Sequence, residues 1–159
     1  MQSSIKLAVL AALLVGTQTF AADSSKLGYD PQANAFEQLD AAVSTASAER
    51  KLVLLVAGGD WCVWCHYLAA FLERESSIDA ALHDVFVVAK IYIGEENLNK
   101  DFFARLPKGA GAPHFWVLSA RGEVLGSQDT LPLEDGGKSY DPAAFMAFIE
   151  RWRAHQATH

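Results

Sequence analysis

Cysteine is scarce in this chain: 159 residues hold two, and both fall in one stretch, Trp61-Cys62-Val63-Trp64-Cys65-His66. A fold stapled by several long-range disulfides is thereby excluded. Methionine is equally scarce, and beyond the first residue only Met146 remains. Positive charge is short as well, with 13 Lys and Arg against 19 Asp and Glu. That balance disfavours nucleic acid, whose binding rests on neutralising phosphates. The amino-terminal apolar run, residues 7–15, has nine residues, against the roughly 20 a helix needs to cross a bilayer. No internal repeat is present, so repeat architectures are set aside.

What is there begins with an address. Lys6, the apolar run, polar residues 16–19 and small Thr19 and Ala21 around Phe20 form the pattern of a secretory signal peptide over residues 1–21. Cleavage after Ala21 leaves 138 residues, with 12 Lys and Arg against 19 acids, a net −7. No cysteine follows the cut directly, which argues against a lipid anchor. The expectation is a protein of the periplasm or another secreted space, with no stable membrane insertion after cleavage. That length suits one domain, and 51% hydrophobic content argues against disorder.

Residues 22–33 are polar and lack periodicity, and they read as an amino-terminal lead-in. The domain is expected over residues 34–156. Phe36, Leu39, Val43 and Ala46 recur at helical spacing and predict a helix over 34–50. Residues 51–57 form an apolar, branched run closed by Gly58-Gly59, which reads as a buried strand. After the cysteine stretch, Leu68, Phe71 and Leu72 alternate with charged residues as on a helix. Cys62 then falls at the helix amino end and Cys65 on its first turn, so one thiol is expected exposed and the other covered. A short helix or turn over 77–83, a strand over 85–93 and a helix over 98–106 stopped by Pro107 follow. Strand 114–118 and a return arm over 123–126 make a hairpin. Residues 128–140 read as a loop long enough to suggest a role. Asp141-Pro142 then supplies the cap and first turn of a terminal helix striped by Phe145, Phe148, Ile149 and Trp152.

Two residues between the thiols allow a disulfide that closes in one turn of chain. So small a ring stabilises by only about 2 kcal/mol, which makes a structural staple a poor use of the pair. Cys62-x-x-Cys65-His66 also satisfies the signature of covalent haem attachment, so thiol exchange and haem binding both stand on the motif alone. A third use is metal binding, with Cys62, Cys65, His66 and His114 converging on copper(I) or zinc, since thiolates and imidazoles suit both.

The order of elements resembles the thioredoxin superfamily across nearly the whole chain after the signal peptide. Trp61-Cys62-x-x-Cys65 is similar to its active-site motif, Val88-Ala89-Lys90-Ile91 to the strand that follows it, and Gly111-Ala112-Pro113 to its cis-proline loop. Gly122-Glu123 adds a weaker likeness after the hairpin turn. The subgroup resembled has the motif W-C-x-W-C-H. The resemblance implies an α/β, thioredoxin-like fold, a single domain with a central mixed β-sheet flanked by helices. It implies a thiol-disulfide oxidoreductase whose redox-active disulfide is Cys62–Cys65, with no other cofactor. Partners are then protein disulfide substrates and a membrane electron donor. Pro113 would be cis, leaving the backbone at Ala112 free to pair with substrate.

The strand position five residues before the motif tryptophan, where thioredoxins carry a buried acid, is Val56 here. Lys90, which normally accompanies that acid, is retained, and Asp60 is adjacent but expected exposed. A helix amino terminus stabilises a thiolate by roughly 0.3–1 kcal/mol, up to ~2 when partly buried, or about one pKa unit. Cys62 is therefore the expected nucleophile and Cys65 the resolving thiol. Trp61 and Trp64 flank the reactive sulfur, as an apolar docking surface or as packing. His66 is a charge modulator, a surface residue or a haem ligand. Against haem stands Met146 on the terminal helix, together with a strand rather than a helical wrap before the cysteines.

Overall fold

The computed structural model describes residues 27–156, so the signal peptide expected over residues 1–21 and residues 22–26 of the lead-in lie outside the described residues. The first helix, α1 (Ala35–Glu49), starts where Asn34 accepts hydrogen bonds from the backbone N–H groups of Phe36 and Glu37. It ends at Arg50, whose left-handed backbone (φ 57°) turns the chain into β1 (Leu52–Gly58). Every residue of β1 is buried, as its unbroken apolar run requires of a strand covered on both faces.

After β1 come α2 (Val63–Arg74), α3 (Ser76–Val85), β2 (Phe86–Tyr92), α4 (Lys100–Phe103), β3 (His114–Leu118), β4 (Val124–Asp129) and α5 (Pro142–Gln156). The four strands form one mixed sheet in the order β2-β1-β3-β4. β1 runs parallel to β2 and antiparallel to β3, and β3 and β4 form a hairpin. Alternation along β1 splits the interior in two. Leu52, Leu54 and Val56 join Phe71 of α2, Leu82 of α3 and Phe145 and Phe148 of α5. Val53, Leu55 and Ala57 face Ala42 and Ala46 of α1 and Phe102 of α4. The result is a single α/β domain, a mixed four-stranded sheet between two helical layers.

Three expectations need correction. The lead-in is not featureless from residue 27 onward: Leu27 and Tyr29 are buried in the core under α2. Leu27 is held through both backbone groups, its N–H donating to Asp60 Oδ1 (3.3 Å) and its carbonyl accepting from Lys90 Nζ (2.6 Å). The helix expected over 98–106 shrinks to one turn. Asn99 sits at φ 44° and uses its side chain to donate to the Tyr92 carbonyl, which forces a turn where apolar spacing alone suggested a longer helix. Residues 128–140 are not an unstructured loop. Gln128 and Asp129 extend β4, a 3-10 turn follows at Leu131–Leu133, and Glu134 bridges to Tyr140. Asp135 Oδ1 accepts from the N–H groups of Gly137 and Ser139, and this closes the tip.

Candidate active site

The cysteines sit where β1 ends and α2 begins, at the carboxyl edge of the sheet. Cys62 is the N-cap of α2, with an extended backbone (φ −87°, ψ 106°). Its carbonyl accepts from the N–H groups of Cys65 (3.0 Å) and His66 (3.3 Å). Its sulfur accepts from the Cys65 N–H at 3.1 Å. Sγ thus occupies the place a serine or aspartate oxygen takes at an ordinary N-cap, where unpaired backbone N–H groups favour negative charge. Cys62 and Cys65 are joined by a disulfide, with Cα atoms 5.2 Å apart.

Both cysteines are buried to the same degree, each 3% exposed. The expected division into an exposed and a covered thiol does not hold in this oxidised state. The disulfide and the N-cap bond turn the Cys62 sulfur inward over the helix, into the cluster that also holds Leu27, Tyr29 and Tyr140. Close approach from below requires glycine: a Cβ on Gly58 would stand 2.6 Å from Cys65 Sγ and 2.7 Å from the Tyr29 hydroxyl.

The two tryptophans have different environments. Trp61 is 59% exposed, yet its indole N–H donates to the Ile93 carbonyl at 2.7 Å, which fixes the ring in place. Gly59 and Gly94 make room for it, since a Cβ on either would lie within 2.7 Å of Trp61 Nε1. Trp64 is partly buried and packs edge-on against Tyr67 and Tyr140, with centroids 5.2 and 5.9 Å away.

Asp60 is exposed and anchors Leu27, while its carbonyl lies 2.8 Å from His66 Nε2. Lys90, on β2 opposite Val56, is half-buried with its amine on the Leu27 carbonyl. Burial holds its pKa below the usual lysine value, against the opposing pull of Asp79 and Asp60. A small cavity of about 40 Å³ lies behind the disulfide, lined by Tyr29, Val56, Cys65 and Lys90 among others.

On the solvent side a broad groove of about 1440 Å³ runs past Trp61 and His66 to Tyr92, Ile93, Gly111 and Ala112. The Ala112–Pro113 peptide bond is cis. The Pro113 carbonyl accepts from Thr130 Oγ1 at 3.0 Å, in a buried bond that reaches across from the segment after β4. Tyr140, from the same segment, directs its hydroxyl to the Trp64 carbonyl at 3.4 Å.

His114 is buried beside Pro113, and both ring nitrogens are engaged, Nδ1 by the Ala110 N–H and Nε2 with Ser127 Oγ. Burial lowers its pKa from 6.5. With His66 on the Asp60 carbonyl as well, the imidazoles of a metal site already have other partners. Among the described residues no group of three His, Cys, Asp or Glu side chains could hold a metal ion. Met146 is partly buried and packs against the core from α5.

Tyr29, Thr130 and Tyr140 were not singled out from sequence. For Tyr29 a signal was available in the alternation of Leu27 and Tyr29, two apolar residues in an otherwise polar lead-in. For Tyr140 and Thr130 there was none, because both contacts depend on the return of the segment after β4.

A family model described as thioredoxin-like matches residues 34–120. Among solved structures, the chain is similar to a disulphide isomerase from Xylella fastidiosa Temecula1. The two share 26% identity over 77% of this chain and 94% of that one, with a TM-score of 0.65. A redox protein from Chlamydomonas reinhardtii matches at 24% identity over 58% of this chain and 28% of that one, with a TM-score of 0.41. No curated protein matches.

Proposed function

Given that this chain belongs to the thioredoxin-like family, we propose that it is a secreted or periplasmic thiol-disulfide oxidoreductase that reduces or isomerises protein disulfides. The observation that carries this reading is the seat of Cys62 at the N-cap of α2, with its sulfur bonded to Cys65 and accepting the Cys65 N–H. A helix end stabilises the thiolate over the thiol, and a C-x-x-C partner resolves the mixed disulfide. The likeness to a structure named as a disulphide isomerase supports the same chemistry.

In the cycle, reduced Cys62 attacks a substrate disulfide and one substrate sulfur leaves as thiolate. Cys65 then attacks Cys62, the second substrate sulfur leaves, and Cys62–Cys65 is restored as the disulfide. Trp61 and Val63, 59% and 55% exposed on either side of Cys62, offer the client an apolar landing surface. The groove beyond Trp61 takes the extended client chain, and the backbone at Ala112 pairs with it. Asp60, His66 and Lys90 set the local charge and Trp64 packs the helix start. A membrane donor returns electrons after each reductive turnover.

Alkylation of the reduced protein against pH tests the assignment. Cys62 is expected to titrate below the free value of about 8.5. Cys62→Ser should abolish exchange, whereas Cys65→Ser should accumulate mixed disulfides with clients. Equal exchange by both variants would overturn the reading, and equilibration with glutathione gives the direction of the cycle.

A further inference from the structure

Val56 leaves the strand beneath the cysteines without an acid, so another group must serve the buried sulfur of Cys65 when the disulfide opens. Tyr29 is 3% exposed, and its hydroxyl and Cys65 Sγ face each other across the bare Cα of Gly58. Tyr29 and Cys65 also line the small cavity behind the disulfide. Here the reaction itself creates an acceptor for the hydroxyl: a disulfide sulfur is a weak acceptor, and a thiolate is a strong one.

We propose that the Tyr29 hydroxyl is the hydrogen-bond donor that receives the Cys65 sulfur when the Cys62–Cys65 disulfide opens, making Tyr29 a positioning residue for the resolving thiol. This rests on the thiol-exchange reading above. The placement of Tyr29 is itself held by the lead-in: Leu27, two residues earlier, is pinned by Asp60 and Lys90. Burial and the nearby Tyr140 and Asp60 keep the phenol protonated well above the ordinary tyrosine value. Tyr29 can therefore donate but not take the proton. The other titratable groups around the pair are Lys90 on β2, Asp79 of α3 behind it, Asp60 and His66 at the start of α2, and Tyr140 before α5. Lys90 already gives its amine to the Leu27 carbonyl.

The step balances without a further reagent. The Cys65 thiol loses its proton, the thiolate attacks Cys62 Sγ, and the Cys62–substrate bond breaks with its electron pair on the substrate sulfur. That sulfur takes up one proton, so none is gained or lost overall. Tyr29 makes no covalent bond. It stabilises the Cys65 thiolate, raising its fraction at neutral pH and lowering its intrinsic reactivity.

These opposed effects give a signature that packing alone would not produce. If Tyr29→Phe raises the Cys65 pKa by about one unit, the thiolate fraction at neutral pH falls about tenfold while reactivity rises about threefold, for a Brønsted slope near 0.5. Resolution of a mixed disulfide preformed on Cys62 should then be about threefold slower than wild type at neutral pH, and about threefold faster above both pKa values. Cys62 alkylation in a Cys65→Ser background should not change. Stopped-flow resolution across pH, with a small aromatic disulfide as substrate, reads the crossing of the two profiles. Parallel profiles in a folded Tyr29→Phe protein would overturn the proposal. Should that variant fail to fold, the assigned Tyr29 Cζ resonance of the wild-type chain serves instead. It should shift on reduction with dithiothreitol and titrate with the midpoint of Cys65 alkylation in Cys62→Ser, and an unmoved resonance would overturn the proposal. A protein that exchanges with no disulfide at all, yet shows the Tyr29 shift, would sink the functional reading and leave the hydrogen bond standing.

Discussion

Thr130 donates its hydroxyl to the carbonyl of Pro113 at 3.0 Å, and the bond is buried. It ties the segment after β4 to the loop that borders the cysteine groove, two parts of the chain 17 residues apart. Tyr140 ties the far end of the same segment to Trp64, inside the cysteine motif. The stretch that reads in sequence as a long loop is thus a brace with two attachment points on the site.

Removing one attachment should be costly. Thr130→Val leaves the Pro113 carbonyl buried without its donor, at about 1–3 kcal/mol. Urea unfolding should show that loss, and turnover of a small disulfide should fall alongside it. Trimming only the tip, residues 135–138, should spare both, because those residues lie outside the core and close on themselves through Asp135. Deleting the whole stretch is expected to unfold the protein, since Leu133 and Tyr140 are core residues.

Trp61 should matter to clients more than to the fold. Its exposed ring is held by one hydrogen bond to Ile93, so Trp61→Ala should cost no more than about 0.5–1.5 kcal/mol. Rates with a small disulfide should stay within a few-fold, while reduction of an unfolded protein disulfide should drop by an order of magnitude or more, as roughly expected when an aromatic anchor is removed. Comparable loss with both substrates would assign Trp61 to the cysteines rather than to docking.

The sheet and its helical layers were legible because they depend on local patterns. β1 shows as an unbroken apolar run, α1 as a 3.6-residue stripe, and α5 as an Asp-Pro start before aromatics. The Cys62 N-cap follows from strand, glycine pair and helix in succession. What was hidden depends on distant segments meeting. Tyr29 approaches Cys65 only because β1 carries a glycine between them. The burial of Cys62 comes from the inward turn of its sulfur, which composition around the motif does not express. Helix α4 was overread because apolar spacing does not reveal that Asn99 spends its side chain on the Tyr92 carbonyl.

His114 makes stability sensitive to mild acid. Its pKa is lowered from 6.5 by burial, with Asp129 opposing. The unfolded chain therefore binds a proton that the folded chain resists, and stability falls as pH drops below about 6.5 toward the folded value. Accepting from Ala110 through Nδ1 requires the neutral ring, so protonation also breaks that bond. Urea midpoints at pH 7.5 and 5.5 should differ more for wild type than for His114→Asn, which does not titrate. Equal differences would remove His114 as the cause.

A chain that begins at Gln32 instead of Leu27 tests whether the domain starts at residue 34. Such a chain keeps α1 and every strand but loses two buried side chains, Leu27 and Tyr29, each worth roughly 1.5–3 kcal/mol of burial. It also removes the carbonyl that holds Lys90 and uncovers one side of Cys65. Its denaturation midpoint should fall, and in the reduced state Cys65 should alkylate faster than in the longer chain while Cys62 changes little. Adding residues 27–31 back should restore both properties. If the shorter chain matches the longer in stability and in Cys65 alkylation, the lead-in is dispensable and the boundary at residue 34 stands. If it does not, the functional domain begins at Leu27, because a segment outside the α/β core covers the sulfur on which resolution depends.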